Sequence, residues 1–382
     1  MGKKSQSIKM ISKLMIRLLP VQVLFATIGC INAIVSSYFA TNYIGVDAMT
    51  AVGLYGPINQ LVSALSGILV GGASIVCGRY IGQNDRGKVQ GVFTIDVMIS
   101  IVISVIIAAA HIVIIMTPLI STFTNDPNVT LLFGKYLLGQ AIGILPFILG
   151  NQLTVFLSLE NKQRLSVIAS VAFIIANLFF NFLFVQVLHM EAFGLALAAS
   201  LGLWVFCIVE GLYFLSGKSY ISFSFMQMNR KDGTEIFVKG FPGGLAYIYL
   251  AGRGLIVNAL LTAYVGSAGI SAFGTANNFM GLFWAVPSGM LAVSRLLISI
   301  GIGEEDRHTL SEIMKVMFTK YLLIQSVISI GIIACSIPFT NIFFHDPSEP
   351  VYMMTAWGFR ILPLCMPFSI ICFSKYSSYS SA

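Results

Sequence analysis

The chain has 382 residues, of which 57% are hydrophobic and only 10% charged, with a mean hydropathy of +0.88. A soluble domain of this length carries roughly a quarter of its residues as charges, so a water-facing globule is excluded and lipid must cover most of the surface. The apolar runs are ~20 to 30 residues long, which suits helices crossing a bilayer, and the short alternating segments of a membrane barrel are absent.

Reading apolar runs between polar breaks predicts ten helices, over 14–42, 48–78, 91–117, 129–157, 165–188, 192–215, 236–265, 268–300, 316–337 and 351–374. Pro57, Gly71-Gly72, Pro146, Gly243-Gly244 and Pro287 fall inside these spans. Neighbouring helices can satisfy the backbone groups freed there, so kinks are expected and not breaks. The fold class is therefore all-α, a polytopic membrane protein of about ten transmembrane helices.

Charge sets the orientation. Segments 1–17, 79–88, 162–164, 218–239 and 295–315, with Lys375, hold 18 of the 22 basic residues. The loops on the other side hold Asp47, Asp126, Glu191, Asp346 and Glu349 and no base. This bias predicts a cytoplasmic N-terminus in a plasma-membrane protein. It also accounts for the net charge of +7 through anionic lipid headgroups, with no nucleic-acid partner. The six cysteines lie within apolar runs without a CxxC pair, and read as small hydrophobes. No metal site or other cofactor is implied. The four histidines are scattered, and no motif joins them into a catalytic constellation, so an enzyme is not expected.

The hexapeptides "IGQNDR" (81–86) and "IGEEDR" (302–307) point to a duplication. Sliding the chain by 221 residues lays "YIGVDAMTAVG" over "YVGSAGISAFG", and Asp126-Pro127 over Asp346-Pro347 after a one-residue slip. Helices one to four thus recur as helices seven to ten, running the same way through the membrane: a parallel repeat with an axis along the membrane normal. Gly82 and Gly303 let the chain leave a helix, while Asp85-Arg86 and Asp306-Arg307 keep the turns in water.

The run "YFATNYIGVDAMTAVGLYGPI", the stretch "GILVGGASIVCGRYIGQND", and their counterparts "NALLTAYVGSAGISAFG" and "SRLLISIGIGEEDR" resemble the multidrug and toxic compound extrusion (MATE) family of secondary transporters. The resemblance implies two bundles around a central cleft: residues 1–216 with six helices, a linker over 217–235, and residues 236–382 with four. It implies export of cationic or amphipathic compounds in exchange for Na⁺ or H⁺, by a monomer. The second copy ends before counterparts of helices five and six, with a Ser/Tyr-rich tail, which suggests a truncated product without transport activity as one alternative. A lipid-linked oligosaccharide flippase is another, although such an anionic cargo would ask for more deep basic residues than Arg253.

The family often carries an Asp in helix one, where Ser36 stands here, and an acid four residues after an Asn in helix five, where Asn181 follows Asn177. The two asparagines share a helical face. Asn32, Ser36, Asn177, Asn181, Arg253 and Asn258 are the candidate cleft residues. Arg253 is the deepest charge, placed either to meet substrate or to bond helix carbonyls inside a bundle. Asp96, Glu160 and Glu210, near cytoplasmic helix ends, are the ion-coupling candidates, with a paired or hydrated interfacial carboxylate as the plainer reading. Arg360 is expected to snorkel, Lys135 and Lys320 to anchor span ends, and His111 to pack. Gly67/Gly71 and Gly240/Gly244 have the spacing of close helix packing, and the abundant Met and Phe would make an adaptable wall.

Overall fold

A computed structural model describes residues 30–83, 85–160, 162–217, 219–303 and 307–371. The start of the first expected span, Lys218, Asp306, Cys372, Lys375 and the Ser/Tyr-rich tail lie outside the described residues.

The described chain is helical. Helix α1 covers 30–39 and passes through a π turn, Ala40–Ile44, into α2, Val46–Gly82. Then follow α3 (Arg86–Met116), α4 (Pro127–Leu159), α5 (Gln163–Asn181) and α6 (Glu191–Leu215). The second half supplies α7 (Arg230–Tyr264), α8 (Ser267–Gly303), α9 (Arg307–Val316), α10 (Leu322–Ala334), α11 (Ser336–Phe343) and α12 (Pro350–Ile361). Among the described residues seven spans are long and apolar enough to cross a membrane, or eight if the two parts of α7, bent by 46°, are one.

Local chemistry starts each helix where it does. Asp85 accepts from the Lys88 amide at the head of α3, and Asp126 accepts from the Asn128 and Val129 amides at the head of α4. Asn229 caps α7 through the Lys231 amide. Pro127 and Pro350 occupy the first turn, where their missing N–H costs nothing. The expected kink points lie within continuous helices: Pro57 in α2, Pro146 in α4 and Pro287 in α8. The bend in α7 falls just after Pro242 and the Gly243-Gly244 pair.

The duplication recurs in the backbone. Helices α2 and α8 are both 37 residues long and start 221 positions apart. Each is preceded by a glycine with positive φ, Gly45 at 126° and Gly266 at 84°. The short helix α11, which the apolar pattern leaves as a loop, sits where the first copy has a 3₁₀ turn, Pro118–Thr122.

Contacts group the chain along lines different from the repeat. One compact unit runs from Phe39 to Ser271; the other joins residues 30–38 to the described residues from Ala272 onward. In the first, Leu69, Val76, Phe93, Ile148 and Phe156 form the core, with the Phe93 ring 4.8 Å from Phe156 and 5.1 Å from Phe214. In the second, Phe279 is ringed by Phe339, Phe343 and Phe359 at 5.0–5.5 Å.

The α2–α7 seam shows why sequence neighbours part. A Cβ on Gly72 would meet the Ile236 carbonyl oxygen at 1.9 Å, and one on Gly240 would meet that of Ile68 at 1.8 Å. The two glycine pairs that suggest close packing therefore pack on one another, backbone to backbone. At one end of the seam Arg79 makes a bidentate pair with Glu235, at 2.6 and 2.9 Å, and Tyr80 donates to Asp232 at 2.9 Å.

Candidate functional site

The candidate residues separate by what surrounds them. On α1, Ser36 is buried, while Asn32 is half-buried and keeps its Oδ1 without a protein donor. Sequence reasoning passed over Ser37, one position further on, which donates to the Ala33 carbonyl and accepts from Asn278 of α8 at 3.0 Å. On α7, Asn258 is buried and donates to the Gly53 carbonyl of α2 at 3.1 Å, so it fastens helices.

Asn177 and Asn181 share a face, as their spacing requires. The Asn181 amide donates to the Asn177 carbonyl at 2.9 Å and to its Oδ1 at 3.2 Å. Both are fully enclosed, and Asn177 Nδ2 and Asn181 Oδ1 have no protein partner. The pair faces Gly202 of α6, where a Cβ would lie 3.3 Å from that of Asn177.

Arg253 is exposed on α7. Its neighbours Ala251 and Asn258 are buried, and Gly254 abuts Pro57 of α2. The arginine thus stands on the side of α7 away from α2, where no carboxylate among the described residues pairs with it. Sliding by 221 residues brings it over Asn32, so the two copies carry different polar chemistry at one position.

The three acids differ most. Glu160 closes α4: it accepts from Tyr213 at 2.7 Å, Ser219 at 2.6 Å and the Ile221 amide at 2.7 Å, which ties the linker to the bundle. This is the paired, structural carboxylate. Glu210 is buried on α6, and the Thr154 hydroxyl of α4 lies 2.9 and 3.0 Å from its two oxygens. Asp96 is wholly buried on α3, and neither carboxylate oxygen has a donor. Helix α3 starts five residues before its apolar run, at Arg86, so Asp96 lies about 15 Å along the helix from its start.

The remaining polar candidates hold structure. Lys135 pairs with Glu191 at 2.6 Å, joining α4 to α6. His111 is buried, with Nδ1 2.9 Å from the Ile107 carbonyl and its ring edge-on to Tyr55. Arg360 donates to Ser336 and lies over the Trp357 ring. The cysteines among the described residues are free thiols, and no group of three metal-binding side chains occurs there.

These features define a class: a polytopic helical membrane protein built on an internal repeat, with buried polar groups among the described residues. The MatE family model matches residues 6–183. The chain is similar to a probable multidrug resistance protein NorM of Halalkalibacterium halodurans, 20% identical over 292 residues, covering 74% of this chain and 63% of that protein. It is also similar to the multidrug export protein MepA of Staphylococcus saprophyticus, 23% identical over 328 residues, covering 84% and 70%. It thus spans about two thirds of the length of these relatives. A solved structure, an inward-facing multidrug resistance MATE family transporter of the MOP superfamily, matches with a TM-score of 0.83 at 16% identity, over 97% of this chain and 84% of its own. Residues 6–183 thus match the MatE family model, and the fold is that of a solved MATE family transporter.

Proposed function

We propose that this chain is a secondary active exporter of cationic or amphipathic drug-like compounds, working by alternating access as an antiporter with Na⁺ or H⁺. Its basic end faces the cytoplasm and it works as a monomer in the plasma membrane. The observation that carries the reading is the matched pair α2 and α8, equal in length and entered through equivalent left-handed glycines. Two like units set the same way through a bilayer give two symmetry-related arrangements, and a pathway between them opens first to one side and then to the other. In this reading residues 1–216 and 236–382 are the moving bundles and 217–235 joins them.

The relatives' names, multidrug resistance and multidrug export proteins, support this cargo class. Cargo would meet neutral oxygens such as Asn32 Oδ1, which has no protein donor. The test is ethidium accumulation in cells expressing the chain, with and without collapse of the proton and sodium gradients. Lower accumulation that returns to control when a gradient is collapsed is expected. Equal accumulation at matched membrane abundance overturns the reading.

A further inference from the structure

We propose that the segment joining the repeats is a membrane anchor: Phe225 and Met226 dip into the cytoplasmic leaflet, and Arg86, Arg230 and Lys231 hold the headgroups of anionic phospholipid around them. The proposal takes from the transporter reading only the side of the membrane; the surface itself stands on geometry.

The segment is fastened while its apolar tip is bare. Ile221 is buried and its amide donates to Glu160 at 2.7 Å, the Phe223 ring lies 4.9 Å from that of Phe93, and the Ser224 amide donates to Thr94 Oγ1 at 2.8 Å. The Gln227 carbonyl lies against Gly91, where a Cβ would come within 2.1 Å of it. Held by these ties, the 3₁₀ turn Phe225–Gln227 buries no residue: Phe225 is 68% exposed and Met226 96%. Two large apolar side chains held out on a fixed turn are costly in water and favourable at a lipid interface.

Position along α3 shows what they face. Gly87, Gly91 and Thr94, which carry the linker, lie in one row with Met98, Ile101 and Val105, at steps of three and four residues. The last three are exposed apolar side chains within a membrane span, so the face that bears the linker is the face that meets lipid. With 31 residues, α3 is about 45 Å long, the thickness of a bilayer with its headgroups. Gly91 stands about 8 Å from the start of the helix, and a headgroup layer is about 5–8 Å deep. The turn therefore sits where headgroups give way to hydrocarbon.

Charge identifies the occupant. The acids at this end are already engaged: Asp85 with Lys88, Asp232 with Tyr80, Glu235 with Arg79 and Lys239, and Glu160 with Tyr213, Ser219 and the Ile221 amide. Arg86, Arg230 and Lys231 are exposed and pair with no carboxylate among the described residues. The Arg86 guanidinium lies 4.2 Å over the Tyr220 ring on one side of the turn, and Arg230 and Lys231 open α7 on the other. Bases on both sides of an apolar tip match phosphates above a hydrocarbon surface. A second copy docked by the same surface would set these bases against their own like, which disfavours it.

The test uses the full chain in nanodiscs of phosphatidylcholine with phosphatidylglycerol. The fluorescence of Met226→Trp, read against the wild type, should be quenched by lipids brominated high in the acyl chain and little by acrylamide in the water. Binding of phosphatidylglycerol to the protein in detergent, counted by native mass spectrometry, should weaken about fivefold for each of Arg86→Ala, Arg230→Ala and Lys231→Ala. It should hold in Lys135→Ala, near the opposite end of α4 from Glu160. No loss in the three variants, or an equal loss in Lys135→Ala, overturns the headgroup site. Quenching by acrylamide alone overturns the insertion. A Trp shielded from both quenchers means that protein, such as a second copy, covers the turn, and overturns it too. None of these readouts needs transport, so a chain that moves no ethidium would sink the exporter and leave the anchor standing.

Discussion

Ser37 and Asn258 occupy equivalent positions of the two copies, 221 residues apart, and each is bonded to the second helix of the other copy. Ser37 on α1 accepts from Asn278 of α8, while Asn258 on α7 donates to Gly53 of α2. The first helix of each repeat is therefore fastened to its neighbour's second helix, which is why contacts cut the chain at Tyr38 and Ser271. Four predictions follow from this arrangement and the elements around it.

Gly45 and Gly266 open α2 and α8 in a conformation that side chains resist. Alanine at either position should cost about 1–3 kcal/mol, and because the sites are equivalent the two losses should be alike. Thermal unfolding in detergent, compared between the single variants, measures this. A strong loss at one site with none at the other would mean that only one turn is constrained.

Gly72→Ala and Gly240→Ala should separate α2 from α7, since their new methyl groups have no room beside facing carbonyl oxygens. A cost of about 1–3 kcal/mol each is expected from overpacking. The double variant should cost less than the sum, because one displacement relieves both clashes. By contrast, Glu235→Gln removes a partly exposed ion pair and should cost about 1 kcal/mol or less.

Asn177 and Asn181 are buried together, with unmet polar atoms on both. Replacing Asn181 alone by Leu removes the donor to Asn177 and should destabilise by about 1–3 kcal/mol. Replacing both by Leu should recover part of that loss, because no polar group is then left alone. A double-mutant cycle on thermal stability tests the coupling.

Asp85 is held below the usual carboxylate range by the Lys88 amide and then by the Lys88 ammonium. A depressed acid contributes stability above its unfolded value, and that contribution is lost as pH falls through the folded one. Hydrogen exchange at the Lys88 amide should therefore be protected at pH 5 to 7, with protection disappearing only below the ordinary aspartate range near ~3.9. Asp85→Ala should remove the protection at every pH.

Much of this fold can be read from the residues, because in a membrane the apolar run is the helix. The span from 192 to 215 meets α6 within one residue, and the repeat sets α8 at the length of α2. Helix ends are less legible: α3 and α7 begin five or six residues before their apolar runs. Their starts are fixed by Asp85 and Asn229, caps that hydropathy does not weigh. The site is less legible still. Glu160, Glu210 and Asp96 look alike in sequence, and only distant partners separate them: Tyr213 and Ser219 for the first, Thr154 for the second, none for the third. Nor does spacing reveal that the glycines of α2 and α7 meet each other, since both motifs occur commonly on their own.

The seam between α2 and α7 also bears on how the protein is made. Helix α2 is synthesised with Gly67, Gly71 and Gly72 lacking side chains along the surface that α7 will fill, and α7 follows only after four further helices. During that interval the nascent chain must keep the groove from lipid or from a wrong neighbour. The two glycine rows therefore stay unpaired until the second half of the chain has been inserted.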